Sequence, residues 1–153
     1  MGRSTRRSIL GALAASAFYV GIWAEFLPES FYRSFPGFGR HWIPVLGPYN
    51  DHLVRDVGGL YLALGVVSVG ALWATDVRAT LWVAVAWEAF SVPHLVFHLF
   101  HLDPYATLDQ VLNVVLLGAA VVAPAALLRG CRTGAVTPGV TGEMPDSKAR
   151  ACA

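Results

Sequence analysis

Four stretches of the chain, 8–27, 57–75, 79–100 and 108–128, are continuously apolar over the length of a membrane-crossing helix. A hydrocarbon core about 30 Å thick takes about 20 such residues per helix. The first stretch is uncharged until Glu25, the second is uncharged throughout, the third contains Glu88, His94 and His98, and the fourth carries only Asp109. None of them alternates in the way the strands of a membrane barrel do. In lipid the backbone polar groups must be satisfied within the segment, which leaves helices. The pattern therefore predicts an all-α protein, a bundle of four transmembrane helices spanning 8–128. A basic cytoplasmic N-terminus, 1–7, precedes it, and a disordered cytoplasmic tail, 129–153, follows.

The connection 28–56 is the longest and is rich in aromatic and turn residues: Phe31, Tyr32, Phe35, Phe38, Trp42 and Tyr49 stand among Pro36, Gly37, Pro44, Gly47 and Pro48. It is too apolar for a disordered linker. An outer loop folded back over the end of the bundle, with Trp and Tyr at headgroup level, is expected. Orientation follows from the basic residues of the short loops. With the N-terminus inside, Arg3, Arg6, Arg7, Arg78, Arg129, Arg132, Lys148 and Arg150 are cytoplasmic, against Arg33, Arg40 and Arg55 outside. That distribution implies a multi-pass protein of the cell membrane with both termini in the cytoplasm. The Arg6-Arg7 pair before an alanine-rich run also fits a twin-arginine export signal. The apolar run continues past Ala14-Ala15-Ser16-Ala17 to Leu27, however, longer than a typical signal core.

Composition agrees with a lipid setting. Of 153 residues 56% are hydrophobic and 14% charged, whereas soluble domains have roughly 45–50% and 25%. A formal net charge of +1 leaves no basic excess for a phosphate backbone, which argues against a nucleic-acid partner. Only Cys131 and Cys152 are present, so neither a disulfide framework nor a cysteine zinc site is expected.

Helix association in lipid relies on small residues and a few polar contacts. Gly59 with Ala63 and Gly11 with Ala15 supply small-residue pairs at the required spacing. Pro93, inside the third span, removes the usual partner of the Ala89 carbonyl and should kink the helix. Glu88 lies about 14 Å from the inner end of that span, near the midplane. A charged carboxylate facing lipid there is costly, so Glu88 should face the bundle.

The third span ends in Pro93-His94-Leu95-Val96-Phe97-His98-Leu99-Phe100-His101-Leu102-Asp103. At 100° per residue His94, His98 and His101 fall within about 60° of one another. Imidazoles at i and i+4 can chelate a transition metal, with Asp103 and His52 as further candidate ligands. The other spans bring polar groups to the same level: Glu25; Asp51, His52, Arg55 and Asp56; Asp109, Gln110 and Asn113. Asn50 or Asp51 reads as a helix N-cap, and Arg55 and Asp56 as interhelical or helix-start contacts. Three readings of this layer stand open: a structural polar network, a bound metal or haem, and a quinone or lipid-like ligand. Glu88, Asp51, Arg55, Asp56 and Asn113 are the candidates for ligand contact or proton handling.

The run Asn50-Asp51-His52-Leu53-Val54-Arg55-Asp56-Val57-Gly58-Gly59-Leu60-Tyr61-Leu62-Ala63-Leu64-Gly65 resembles the start of the second helix in the DoxX-like superfamily of small four-helix membrane proteins. Phe31-Tyr32-Arg33-Ser34-Phe35-Pro36-Gly37, Gly39-Arg40-His41-Trp42, Gly47-Pro48-Tyr49 and Pro93-His94-Leu95-Val96-Phe97-His98 look like an actinobacterial branch of that group. The resemblance covers about 8–128 and implies a four-helix membrane bundle. Better-known relatives are subunits of membrane redox complexes linked to quinones or sulfur compounds, so a redox complex or a homo-oligomer is the implied partner. The histidine-rich end of the third span is not part of what the resemblance carries over.

The leading expectation is an outer-leaflet pocket lined by histidines and carboxylates, holding a metal or a small redox-active apolar ligand such as a quinone. One alternative is a non-catalytic accessory subunit whose polar cluster is structural. Another is a small proton-coupled carrier titrating at Glu88, for which four helices without an inverted repeat offer little room. Ser68 and Ser91 have no nucleophile elbow or base arrangement, which argues against a hydrolase.

Overall fold

Helix α1 (Arg3–Phe26) starts within the basic N-terminal segment because Arg6 is drawn into the protein rather than left in water. In the computed structural model, which describes residues 1–74 and 76–133, Arg6 is 7% exposed. Its guanidinium donates to Thr80 Oγ1 at 2.8 Å and to the Ala74 carbonyl at 3.1 Å. After α1 comes the short helix α2 (Pro28–Ser34), opened by a proline at its first turn and carrying a Glu29–Arg33 pair at 2.6 Å. The two-residue strands β1 (Pro36–Gly37) and β2 (Arg40–His41) then pair antiparallel, Pro36 opposite His41 and Gly37 opposite Arg40. Phe38 and Gly39 make the turn with φ of 57° and 74°, the left-handed pair that suits a two-residue hairpin. The connection thus contains a helix and a hairpin.

Three long helices complete the chain: α3 (Asp51–Trp73), α4 (Val77–Leu99) and α5 (Thr107–Thr133). Asn50 caps α3, its side chain accepting from the Leu53 amide at 3.1 Å, and Asp76 caps α4 through the Arg78 amide at 3.0 Å. Helix α3 begins six residues before the apolar stretch because its charged first turns are supported by this cap and by an Asp51–Arg55 pair at 2.9 Å. Helix α4 runs on through Pro93, and α5 through a buried Pro124. Helices α1, α3, α4 and α5 are long and apolar enough to cross a membrane. Of the tail expected at 129–153, residues 129–133 are helical, and 134–153, with Cys152, lie outside the described residues.

The bundle consists of two close pairs, α1 against α3 and α4 against α5; α3 meets α4, and α1 meets α5, over shorter stretches. The small residues that let α1 approach α3 are not the expected ones. Gly59 and Ala63 point outward, Ala15 is exposed, and nothing approaches a Cβ placed on Gly11. Gly58 and Gly21 are the contact points. A Cβ on Gly58 would fall 2.5 Å from the Glu25 amide nitrogen, and one on Gly21 would fall 2.9 Å from that of Leu62. The apolar core lies toward the chain-terminal end of the bundle, around Leu10, Leu13, Ala17, Val83, Ala84, Trp87 and Leu127.

Candidate ligand cavity

Where α3 diverges from α4 and α1 from α5, the half of the bundle beneath the α1–α3 connection holds a cavity of about 530 Å³. That volume lies within the range of small-molecule sites. Its floor is set by Ser16, Tyr61, Trp87 and Ala120. The walls carry Val20, Val54, Val57, His94, His98, Asn113 and Leu117, and the roof is made by Phe31, Phe35, Trp42, Ile43 and Leu46 from the connection, with Tyr105 beside them. Among the described residues no Asp, Glu, Lys or Arg lines it.

The helix period places Trp87, His94 and His98 on one side of α4. At the floor, every polar atom of the Trp87–Ser68 pair is satisfied: the indole donates to Ser68 Oγ at 3.0 Å, and that hydroxyl donates to the Leu64 carbonyl at 2.7 Å. Higher up this is not so. His98 is 7% exposed and Asn113 2% exposed, yet His98 Nδ1 and Asn113 Oδ1 have no hydrogen-bond partner. Buried polar atoms are ordinarily paired, and an unpaired one carries its full desolvation penalty. His98 and Asn113 stand on adjacent helices and both line the apolar cavity; the two atoms are themselves covered by protein, as are the equally unpartnered Arg6 Nε, Glu88 Oε1 and Ser91 Oγ, whose residues do not line it. An imidazole can donate or accept according to its tautomer, and an amide does both.

Aromatic rings continue around the site. His98 lies 4.8 Å from His94 and 6.4 Å from Tyr105 between ring centroids, His94 stacks on Phe90 at 5.0 Å, and Phe90 meets Tyr61 at 5.1 Å. Trp42 stands edge-on to Tyr105 at 6.4 Å and to Phe35 at 6.2 Å. Such a lining favours a flat conjugated ring over a globular aliphatic group.

The roof is fastened to the bundle. The Trp42 indole donates to Asp109 Oδ1 at 2.8 Å, Arg40 forms an ion pair with the same oxygen, and the Tyr105 hydroxyl donates to the Trp42 carbonyl at 3.1 Å. Burial pushes the Tyr105 phenol up to about 12, and the Asp109 carboxylate adds to the shift. A smaller hollow of about 350 Å³, bordered by Arg40, His41 and Asp109, lies on the other side of Trp42 and Tyr105.

Of the metal and ligand candidates read from the sequence, the structure brings His94, His98 and Asn113 to the cavity, which Asn50, the cap of α3, and Phe31, Tyr32, Phe35 and Trp42 of the connection also line. His101 falls beyond the end of α4, where its ring stacks on Phe97 at 4.0 Å and its Nδ1 lies 2.7 Å from the Phe97 carbonyl. His52 is exposed, 3.4 Å from Asp56 in its own helix, and Asp103 is exposed in the α4–α5 turn. Asp51 is occupied by Arg55 and by the Tyr49 hydroxyl at 2.7 Å, which raises the Tyr49 phenol pKa. Arg55 also donates to the Glu25 carbonyl, linking α3 to α1. Glu88 is half-buried and does not line the cavity, although its Oε1 has no partner. Among the described residues no group of three or more His, Cys, Asp or Glu is placed to hold a metal ion. No second histidine faces His94 and His98 across the cavity, as a haem held by two imidazoles would require.

Tyr61 and Tyr105 are lining residues that sequence reasoning missed, whereas Trp87 shares the face of His94 and His98 by helix period and Trp42 belongs to the aromatic-rich connection. The density of aromatic residues in 28–56 is the signal for the roof, and it serves there to cover the cavity. The chain matches no family model, no curated protein and no solved structure.

Proposed function

We propose that this protein binds a neutral, ring-bearing apolar ligand of the quinone or quinol type within its membrane bundle. The observation that carries the reading is the presence of two buried polar side chains, His98 and Asn113, each with an unpartnered atom, in the lining of an apolar cavity rich in aromatic rings. A quinone carbonyl accepts from an imidazole N–H, and a quinol hydroxyl donates to an amide oxygen, so both forms of such a head find a partner. The uncharged lining disfavours a charged ligand. The distribution of basic residues supports an outer-leaflet site, with both termini in the cytoplasm of a cell-membrane protein. The resemblance to DoxX-like proteins supports a place beside a membrane redox complex. Metal and haem are less well supported, because the additional ligands they require lie outside the cavity.

The test is titration of the purified protein with a short-chain benzoquinone, read by quenching of tryptophan fluorescence, since Trp42 and Trp87 both line the cavity. Saturable quenching is expected, weakened up to about tenfold in His98→Phe and in Asn113→Leu, the effect of one neutral hydrogen bond each. Equal, non-saturating quenching in all three proteins would remove the reading.

A further inference from the structure

Over the cavity, Phe31, Trp42 and Tyr105 are buried, and exposed lining residues lie around its margins. Beyond the Trp42 and Tyr105 contacts, the Tyr19 hydroxyl donates to the Pro36 carbonyl at 3.0 Å and that of Tyr32 to the Gly47 carbonyl at 2.8 Å. Trp42 and Tyr105 are each only 6% exposed. Lining residues reach the outer surface on α5 at Leu116 and in the connection at Leu46 and Asn50, and on the side between α3 and α4 at three positions: Leu53 is 58% exposed, Val57 40% and Phe97 47%. A side chain that both borders a cavity and faces outward marks its rim. These three belong to the first turns of α3 and the last turns of α4, and the contacts joining those helices, Tyr61 with Phe90 and Trp87, and Ser68 with Trp87, are deeper in the bundle. Both helices are long and apolar enough to cross a membrane, and Val57 opens the apolar stretch of α3.

Resting on the ligand reading above, we infer that the ligand is a chain-bearing molecule dissolved in the bilayer, which enters sideways between the start of α3 and the end of α4. Its head reaches His98 and Asn113, and its apolar chain passes out over Val57 and Phe97 into the lipid. A fixed roof fits this route, because nothing above the cavity has to open.

Two compounds with the same benzoquinone head, one bearing a decyl chain and one a methyl group, distinguish the routes in protein reconstituted into phosphatidylcholine vesicles. Tryptophan quenching gives affinity and association rate, both corrected for partitioning into lipid. The decyl compound is expected to bind at least tenfold more tightly, Val57→Phe to slow its association several-fold, and Asp109→Asn to leave that rate unchanged. Equal corrected affinities would overturn the inference. So would association that is faster in Asp109→Asn and unaffected by Val57→Phe, which would place the entrance at the roof. Quenching by either compound that does not depend on His98 and Asn113 would instead defeat the ligand reading itself.

Discussion

The indole of Trp42, in the connection after α1, donates to the carboxylate of Asp109, in the first turn of α5, and so joins residues 67 apart in sequence across the end of the bundle. Arg40 reaches the same oxygen from the hairpin. One acidic side chain thereby receives two of the donors that fix the roof, and Trp42 is at once a roof residue and a lining residue of the cavity.

If Asp109 is the fastening, removing it should loosen the hairpin and leave the helices in place. Asp109→Ala is expected to speed amide exchange over 36–42 severalfold, with Asp109→Asn intermediate because it keeps an acceptor for the indole. Exchange within α3 and α4 should not change. Mass spectrometry of exchanged protein in detergent measures both, and a uniform rise throughout the chain would show that Asp109 supports the whole bundle instead.

Gly58 and Gly59 are neighbours in sequence but differ in what an added methyl would meet. On Gly58 it meets the backbone of Glu25 and Ala24, which cannot swing aside; on Gly59 the nearest atom is Glu25 Oε2 at 3.7 Å, ordinary contact. Gly58→Ala is therefore expected to destabilise the α1–α3 pair by about 1–3 kcal/mol, while Gly59→Ala stays within about 0.5 kcal/mol of the parent. Thermal unfolding of the two variants side by side gives the comparison.

At the opposite end, Arg6 and Thr80 tie α1 to the start of α4. Loss of a hydrogen bond to a buried charged group is worth about 1.5–3 kcal/mol, so Thr80→Ala should lower stability by that order. Arg6→Met, which removes the charge together with its need for partners, should do less harm than Thr80→Ala in the same background. A double-mutant cycle on unfolding in detergent would give a coupling of about 0.5–3 kcal/mol.

The roof also sets an alkaline limit. The Tyr105 phenol is pushed up from an ordinary value of about 10 to about 12 by burial. Below pH 10 the phenol is protonated in both folded and unfolded chains, and the contribution of its hydrogen bond to Trp42 is fully present. Between about pH 10 and 12 the unfolded chain ionises first, so that contribution is lost as the pH rises. Tyrosinate absorbance should show one late-titrating group that disappears in Tyr105→Phe, and a Tyr105 that titrates with the free residues would contradict the burial argument.

The four long helices are legible in the apolar runs, because lipid imposes length and hydropathy on each span. Their ends are less so. Asp51 and Arg55 look like loop charges until the Asn50 cap and their own i,i+4 pairing carry α3 through them. A one-residue difference, Gly58 for Gly59, decides which face of α3 packs, and a nearly all-apolar helix gives the eye little help in choosing. A face of three histidines requires α4 to continue to residue 101, whereas the helix stops at Leu99 and turns His101 onto Phe97. His98 and Asn113 were visible as polar residues in apolar helices. Their convergence with Trp42 and Tyr105 was not, since it depends on contacts more than 60 residues apart in the chain.

Asn113 separates a binding role from a structural one. In a structural polar network its amide would hold helices together, and replacing it with leucine would reduce stability. Here Oδ1 is buried without a partner, so the ligand-free protein carries a desolvation penalty of about 1–3 kcal/mol that no protein group offsets. Leucine has nearly the same volume and brings no polar atom. Asn113→Leu is therefore expected to hold or raise the unfolding temperature of the ligand-free protein while weakening quinone binding. Opposite movements of stability and affinity in one variant are what a residue kept for its ligand should give; a fall in both would return Asn113 to the structural network.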